Sequence, residues 1–213
     1  MFVGERMSRP VISVSPETPI HDALVMFKKE HIRRAPVIKD GKLVGIVSEG
    51  DLLNASPSPV SSLSVWEMNY LISKVTVKQV MSKKVKTIDV NTPIEEAARI
   101  MADSKIGGIP ITRSGKVVGI ITETDLFKIF LELMGARTKG IRVTAEIDDQ
   151  AGKLAKVTKS IADAGGNFIS FGQFSGDDPS TKVLTFKVAG IKKDEVKKVL
   201  AKAVKKFWDI RQI

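Results

Sequence analysis

Two short stretches of the sequence place a hydroxyl three residues ahead of a carboxylate. The first is Ser48-x-x-Asp51 and the second is Thr122-x-x-Asp125, each at the predicted start of a helix. The free N–H groups and the positive dipole end of a helix start suit a phosphate group. An aspartate beside the phosphate can accept two hydrogen bonds from a ribose diol. Nucleotide binding is therefore one interpretation of both stretches.

The same residues also have a purely structural interpretation. Ser48 and Thr122 can act as N-caps, and Asp51 and Asp125 can then accept hydrogen bonds at the third helical position. The local pattern alone favours this capping interpretation over ligand binding. The choice between the two interpretations therefore depends on the elements around these residues.

An internal repeat puts the two stretches in equivalent positions. Shifting the sequence by 74 positions aligns residues 7–53 with residues 81–127 without a gap, and 17 of the 47 pairs are identical. So many identities indicate that one structural unit has been duplicated. These two segments are called the first copy and the second copy below.

Each copy is predicted to fold as β-α-β-β-α. A β-like segment precedes a Thr-Pro helix start, and two strands flank a tight turn at Asp40-Gly41 or Ser114-Gly115. A second helix then begins at Ser48 or Thr122. The first strands are predicted at Val11–Val14 and Val85–Ile88. Thr18 and Thr92 are the predicted N-caps, each followed by a proline at N1, Pro19 or Pro93. In the second copy Glu95 is predicted to complete a capping box.

A third unit follows the repeat. Strands at 141–147, 167–174, 183–188 and 207–213, with helices at 152–164 and 192–206, give the β-α-β-β-α-β order of a ferredoxin-like fold. A further helix is predicted over residues 63–74, between the copies. The predicted domains are residues 1–58, residues 59–136 including that helix, and residues 139–213. The predicted fold class is α/β (α+β).

The composition narrows the possible functions. The chain has no cysteine, which excludes disulfides, thiolate zinc sites and cysteine nucleophiles, and it has no apolar run long enough for a membrane helix. We therefore expect a cytoplasmic protein without membrane contact. The net charge is +10, and much of the excess lysine lies between Lys187 and Arg211. We interpret these lysines as a solvated helix face, with nucleic-acid binding as the alternative.

Catalysis and metal binding have little support in the sequence. His21 and His31 are ten residues apart and have no histidine counterparts in the second copy, so we interpret both as surface residues. No P-loop and no nucleophile-elbow motif occurs. The sequence therefore predicts a binding protein that is not an enzyme and carries no cofactor.

The two copies together resemble a tandem pair of CBS (cystathionine-β-synthase) domains, known as a Bateman module. The resemblance rests on the Pro-Val/Ile strand, the tight turn and the Gly-Ile-Val/Ile-Ser/Thr-x-x-Asp ending. It implies two clefts for adenosine-containing ligands such as AMP, ADP, ATP or S-adenosylmethionine. The family's phosphate role then falls on Ser48 and Thr122, and its ribose role on Asp51 and Asp125. The base is expected near Ser13, Ala35, Pro36, Thr87, Ile109 and Pro110.

The segment ahead of the shared proline predicts that the two clefts are unequal. The first copy has Arg33 and Arg34 where the second copy has Gly107 and Gly108. In CBS-like pairs this segment borders the phosphate end of the cleft, and guanidinium groups match phosphate oxygens in pairs. We expect the arginines to contact phosphate, with a solvated surface role as the alternative. The sequence leaves open which cleft they serve.

Residues 139–213 resemble an ACT domain. The resemblance rests on the β-α-β-β-α-β order and on the motifs around Gly152 and Asn167, although the family often has a proline where Ala151 stands. It implies a homodimer and an amino-acid effector site, for which the candidates are Asp148, Gly152, Asn167 and Ile169. A CBS pair followed by such a unit is similar to the acetoin-utilisation accessory (AcuB-like) proteins. The predicted function is a regulatory ligand sensor.

Overall fold

The computed structural model describes residues 1–55 and 74–213. The chain divides into two compact units, Met1–Leu126 and Phe127–Ile213. The helix predicted over residues 63–74 falls outside the described residues except for Lys74, and so does the predicted boundary between residues 58 and 59. Both therefore stay predictions. In the described ranges, no helix has the length and apolar character needed to cross a bilayer.

Both copies contain the predicted alternation of helices and strands, which confirms the mixed α/β fold class. The first copy and the residues before it form α1 (Val3–Arg6), α2 (Ile20–Lys29), β1 (Arg34–Lys39), β2 (Lys42–Ser48) and α3 (Glu49–Asn54). The second copy and the residues before it form α4 (Val77–Val80), β3 (Ile88–Asp89), α5 (Ile94–Ser104), β4 (Gly108–Arg113), β5 (Lys116–Thr122) and α6 (Glu123–Leu133).

The two hairpin turns are confirmed. Asp40 and Gly41 have φ values of 49° and 74°, and Ser114 and Gly115 have values of 49° and 76°. Positive φ at both central residues is typical of a type I′ turn, whose twist matches that of the flanking strands. β1 and β2 pair antiparallel across the first turn, and β4 and β5 pair in the same way across the second.

The strand predicted at Val11–Val14 is wrong, because only Val14 forms a bridge, to Val37. In the second copy, β3 pairs parallel with β4 over two residues, and the N–H of Val90 then donates to the carbonyl of Thr112. The residue equivalent to Val90 is Pro16, which has no N–H to donate. The ladder therefore stops one step earlier in the first copy.

The N-caps predicted at Thr18 and Thr92 are also wrong. The caps are Pro19 and Pro93, neither helix start has a side-chain cap hydrogen bond, and the predicted capping box of Glu95 does not form. The free N–H groups are satisfied from elsewhere, since Ile20 donates to the carbonyl of Val75 and Ile94 donates to the carbonyl of Met1. Tertiary contacts replace the local cap that the sequence pattern predicts.

Two segments, residues 1–9 and 75–83, supply these carbonyls, and we call them the lead segments. Each pairs with the copy that it does not precede, through the bridges Ser8–Ile120 and Ile46–Ser82. Val3 is fully buried in the core of the second copy, and Val77 is fully buried in the core of the first. Each copy is therefore completed by the lead segment of the other.

The second unit has the predicted ferredoxin-like order. It contains β6 (Ile141–Asp148), α7 (Lys153–Asp163), β7 (Asn167–Ser175), β8 (Thr181–Ala189), α8 (Lys193–Leu200) and β9 (Lys206–Gln212). The strands form one antiparallel sheet in the order β7-β8-β6-β9. Alternate residues of β6 pack against the two helices, beside a cluster of three phenylalanine rings. The final helix ends earlier than predicted, because Lys205 already hydrogen-bonds to the backbone of β6.

Lys187 is not part of the basic surface predicted for the C-terminal region. Its side chain is buried, with only 3% of the residue exposed. The ammonium group donates hydrogen bonds to the carbonyls of Gly135 (2.8 Å) and Thr138 (2.9 Å). This lysine therefore anchors the segment before β6, and it is not positioned to contact a nucleic-acid backbone.

Candidate functional site

Ser48 and Asp51 form a closed hydrogen-bonded pair at the start of α3. Asp51 accepts bonds from the N–H of Ser48 (2.8 Å) and from its hydroxyl (2.6 Å), both at Oδ2, and the Asp51 N–H donates to the Ser48 hydroxyl (3.2 Å). The capping interpretation is therefore confirmed for this pair. It does not exclude a ligand, because both side chains are only partly buried and, among the described residues, none donates to the Oδ1 of Asp51.

Thr122 and Asp125 repeat this geometry with one addition. Asp125 accepts from the Thr122 N–H (2.9 Å) and hydroxyl (2.7 Å) at Oδ2, while its Oδ1 accepts from the hydroxyl of Ser8 (3.2 Å). Asp125 is buried, with 7% of the residue exposed. Among the described residues, the Asp125 carboxylate therefore accepts one more hydrogen bond from the protein than the Asp51 carboxylate does.

A cavity of about 380 Å³ opens beside Ser48, and we call it the first cleft. This volume lies within the range of about 300–1,000 Å³ usual for small-molecule sites. Its wall combines residues of the first copy with residues of the second copy, so neither copy alone would form it. The lining consists of the hydroxyls of Ser48, Ser82 and Ser104, the cations of Arg34, Lys84 and Lys86, and Ile46, Val85, Ile106, Gly107 and Gly108.

The side chain of Arg34 crosses from β1 of the first copy to the two glycines of the second. A Cβ atom added at Gly107 would lie 2.7 Å from the Arg34 Cζ, and one at Gly108 would lie 2.8 Å from its Cδ. The guanidinium therefore fits only because these positions lack side chains. Burial lowers the pKa of Arg34, and the nearby charge of Arg33 lowers it further, whereas Glu123 and Asp51 oppose the shift.

Arg33 points to a different place. Its Nη2 lies 3.4 Å from the hydroxyl of Thr124, inside the Thr122–Asp125 stretch. The resemblance predicts a second cleft around Thr122 and Asp125, and we keep the name second cleft for the region formed by Ser8, Arg33, Thr122, Thr124 and Asp125. Arg33, just before β1, and Arg34, its first residue, therefore point toward different regions, a question that the sequence left open.

The residues expected near the base fall into two classes. Ala35 and Ile109 are fully buried in the cores of the first and second copies, and Pro36 and Pro110 are buried beside them. Ser13 and Thr87 are exposed, and Thr87 follows the lining residue Lys86 directly. None of these six residues is among the described residues that line the first cleft, so their role near a base stays a prediction.

Sequence reasoning identified Arg34 and Ser48 of the first cleft, and the polar lining residues that it missed are Ser82, Lys84, Lys86 and Ser104. The ammonium of Lys86 donates to the hydroxyl of Ser104 at 2.7 Å, which joins two of them across the cavity wall. The repeat contains only a weak signal for these positions, because Ser8 is the one identical counterpart. The other three face Pro10, Ile12 and Glu30 in the alignment of the copies.

The two copies correspond to a known family. The family model described as CBS domain matches residues 3–58 and again residues 77–132. The chain belongs to the CBS domain family. Residues 3–58 and 77–132 are therefore the two domains of a CBS pair, and the first cleft is lined by residues of both.

Three solved CBS structures resemble this CBS pair. The CBS pair of protein MJ0100, solved with 5′-methylthioadenosine and S-adenosylmethionine, is 26% identical, with a TM-score of 0.52 over 65% of this chain and 98% of that one. CBSX2, solved with AMP, is 28% identical, with a TM-score of 0.52 over 62% of this chain and 97% of that one. An acetoin utilisation protein (AcuB) from Vibrio cholerae is 28% identical, with a TM-score of 0.53 over 64% of this chain and 95% of that one. The predicted similarity to AcuB is confirmed over this part of the chain.

The four candidate effector residues do not meet within one chain. Asp148 pairs with Thr181 at one end of β8, whereas Asn167 pairs with Ala189 at the other end, about 26 Å away at roughly 3.3 Å per residue. Gly152 lies near Asp148, at the N-cap of α7 with φ 83°. The side chain of Ile169 packs against Gly135 and Gly140.

Asp148 already has a partner within the chain. Its Oδ2 accepts a hydrogen bond from the ammonium of Lys153 at 2.6 Å, and this bond lowers the pKa of Asp148. The ACT resemblance and the amino-acid site stay predictions.

Proposed function

We propose that the CBS pair is a regulatory sensor that binds an adenine nucleotide in the first cleft. The observation that carries this proposal is the composition of the cavity wall, in which three serine hydroxyls and three cations surround a space of about 380 Å³. Hydroxyls and cations are the groups that bind phosphate oxygens. Asp51, which lies beside Ser48, then has an oxygen available for a ribose hydroxyl.

The relatives support the same ligand class. CBSX2 binds AMP, and the MJ0100 pair binds S-adenosylmethionine and 5′-methylthioadenosine, so adenosine is common to all three ligands. A regulatory role is favoured because the first cleft draws on both CBS domains, so a ligand there would stabilise one relative arrangement of the two.

The ribose and phosphate roles predict a specific loss of binding. Asp51→Ala should weaken AMP binding by at least about tenfold, because a charge-assisted hydrogen bond contributes about 1.5–3 kcal/mol. Isothermal titration with AMP, ADP, ATP and S-adenosylmethionine is the measurement. Asp22→Ala removes an exposed carboxylate from α2, outside the cleft, and should bind like the wild type. A wild-type protein that binds none of these ligands at millimolar concentration would contradict the proposal.

We further propose that the ferredoxin-like unit forms a homodimer through β7. The sheet order leaves β7 and β9 at its edges. β9 contains Lys206, Asp209 and Arg211, which oppose pairing with another strand, but the nine residues of β7 include no charge. An uncharged edge of this length is suited to pair with a second copy, and Phe174 on it is 49% exposed.

Lysines placed on this edge should dissociate the dimer. The double variant Gln173→Lys/Phe174→Lys is expected to give the monomer mass in light scattering. The lysines introduced in one chain would repel the same lysines of the second chain across the interface. Trp208→Lys makes the matching change at an exposed position of β9 and should leave the dimer intact. A monomeric wild type, or a dimer in the β7 variant, would show that this edge is not the contact.

A further inference from the structure

The first cleft has an excess of positively charged residues that do not recur at the equivalent positions of the other copy. Arg34, Lys84 and Lys86 line it, and none of the described lining residues is acidic. The positions equivalent to Lys84 and Lys86 are Pro10 and Ile12, which carry no charge. The position equivalent to Arg34 is Gly108. Three cations of the first cleft thus have uncharged counterparts.

The second cleft differs in its acidic and basic groups as well. Its one cation in the described contacts is Arg33, at 3.4 Å from the Thr124 hydroxyl. The position equivalent to Ser104, which accepts a hydrogen bond from Lys86, is Glu30. The carboxylate of Asp125 is already bonded by Ser8 and Thr122. The basic residues that line the first cleft therefore do not recur at the equivalent positions of the other copy.

The cations of the first cleft also lie at two depths. Arg34 and Ser48 are partly buried, whereas Lys84 and Lys86 are exposed at the rim. A phosphate beside Ser48 would be neutralised by Arg34, so the two lysines are left for further phosphates that extend toward the rim. A nucleoside monophosphate has only one phosphate, which cannot contact all three cations.

We propose that the first cleft selects a nucleoside di- or triphosphate over a monophosphate. This inference rests on the nucleotide-binding function proposed above. The selection arises from charge, because each further phosphate adds negative charge that Lys84 and Lys86 can neutralise. Since three protein cations already surround this space, the first cleft holds the polyphosphate without a divalent metal ion.

Titration of the full-length protein with ATP and AMP in EDTA tests the selection. The wild type should bind ATP at one tight site per chain, at least about tenfold more tightly than AMP. The double variant Lys84→Gln/Lys86→Gln should weaken ATP binding by at least about tenfold and AMP binding by less than about threefold. Glutamine keeps most of the side-chain length, so the variant removes charge with little change in packing.

A neighbouring lysine provides the control. Lys83 is exposed and precedes Lys84, but it does not line the cavity. Lys83→Gln should therefore leave both affinities within about twofold of the wild type. Thermal unfolding of each variant without ligand should match the wild type, because exposed charges contribute little to stability.

The possible results separate this inference from the proposed function. Equal losses of ATP and AMP affinity in the double variant, or a wild type that binds AMP as tightly as ATP in EDTA, would overturn the selection while nucleotide binding stands. A wild type that binds no nucleotide would overturn the proposed function itself. A loss in Lys83→Gln as large as that in the double variant would attribute the effect to the general charge of the surface, and would also overturn the inference.

Discussion

Met7→Ala is expected to destabilise the second CBS domain, although Met7 belongs to the first copy in the sequence. The side chain is 8% exposed in the core of the second copy, and its Cγ leaves no room for a side chain at Gly119. Truncating a buried methionine to alanine costs about 2–5 kcal/mol, from lost burial and the cavity left behind. Urea unfolding should show this loss, and hydrogen exchange should locate it in α5, β4 and β5.

The equivalent variant should affect the opposite domain. Met81 packs against the core of the first copy, with its Cγ beside Gly45, so Met81→Ala should reduce protection in α2, β1 and β2. Val25→Ala is the control, because Val25 is 55% exposed on α2 and its truncation should change stability by no more than about 0.5 kcal/mol. If Met7→Ala reduced protection in the first copy instead, the exchange of lead segments would be wrong.

Gly107→Val is expected to abolish most nucleotide binding in the first cleft while the fold is retained. Any side chain at this position would occupy the space of the Arg34 guanidinium, which must then leave the cleft. The displaced group is the far end of a flexible side chain, so the cost to stability is small. The affinity for ATP should fall by about 10- to 100-fold, the effect of losing one well-placed charged contact.

A double-mutant cycle distinguishes this cause from a general distortion. Arg34→Ala should weaken ATP binding as much as Gly107→Val, and the two changes together should cost little more than either alone, because both remove the same contact. Asp22→Ala, on α2 and outside the cleft, is the control and should bind ATP like the wild type. Fully additive losses would show that Gly107 acts by a route other than Arg34.

Much of the fold could be predicted from neighbouring residues. The tight turns at Asp40-Gly41 and Ser114-Gly115, the capping pair of Ser48 and Asp51, and the ferredoxin-like strand order all appear as expected. Each depends on residues close in the chain, or on a periodicity within one element. The 74-residue repeat also identified two equivalent stretches, and the family match confirms that both are CBS domains.

Two of the errors, the helix caps and the surface lysine, arise from contacts between distant residues. Thr18 and Thr92 are not caps because backbone carbonyls of the opposite lead segments bond to the helix starts instead. Lys187 resembles any other lysine of a basic region, yet two carbonyls some 50 positions earlier in the chain hold it in the interior. A local pattern cannot reveal a partner of this kind.

The division of Arg33 and Arg34 between the two clefts depends in the same way on tertiary structure. Arg33 precedes β1 and Arg34 is its first residue, but their positions in the chain do not say what either side chain meets. The bare backbone of Gly107 and Gly108 leaves room for the guanidinium of Arg34, while Thr124 lies within reach of Arg33. The sequence contains all five residues. Only the packing of one CBS domain on the other brings each arginine to its neighbours, because the direction of a long side chain follows the space that those neighbours leave.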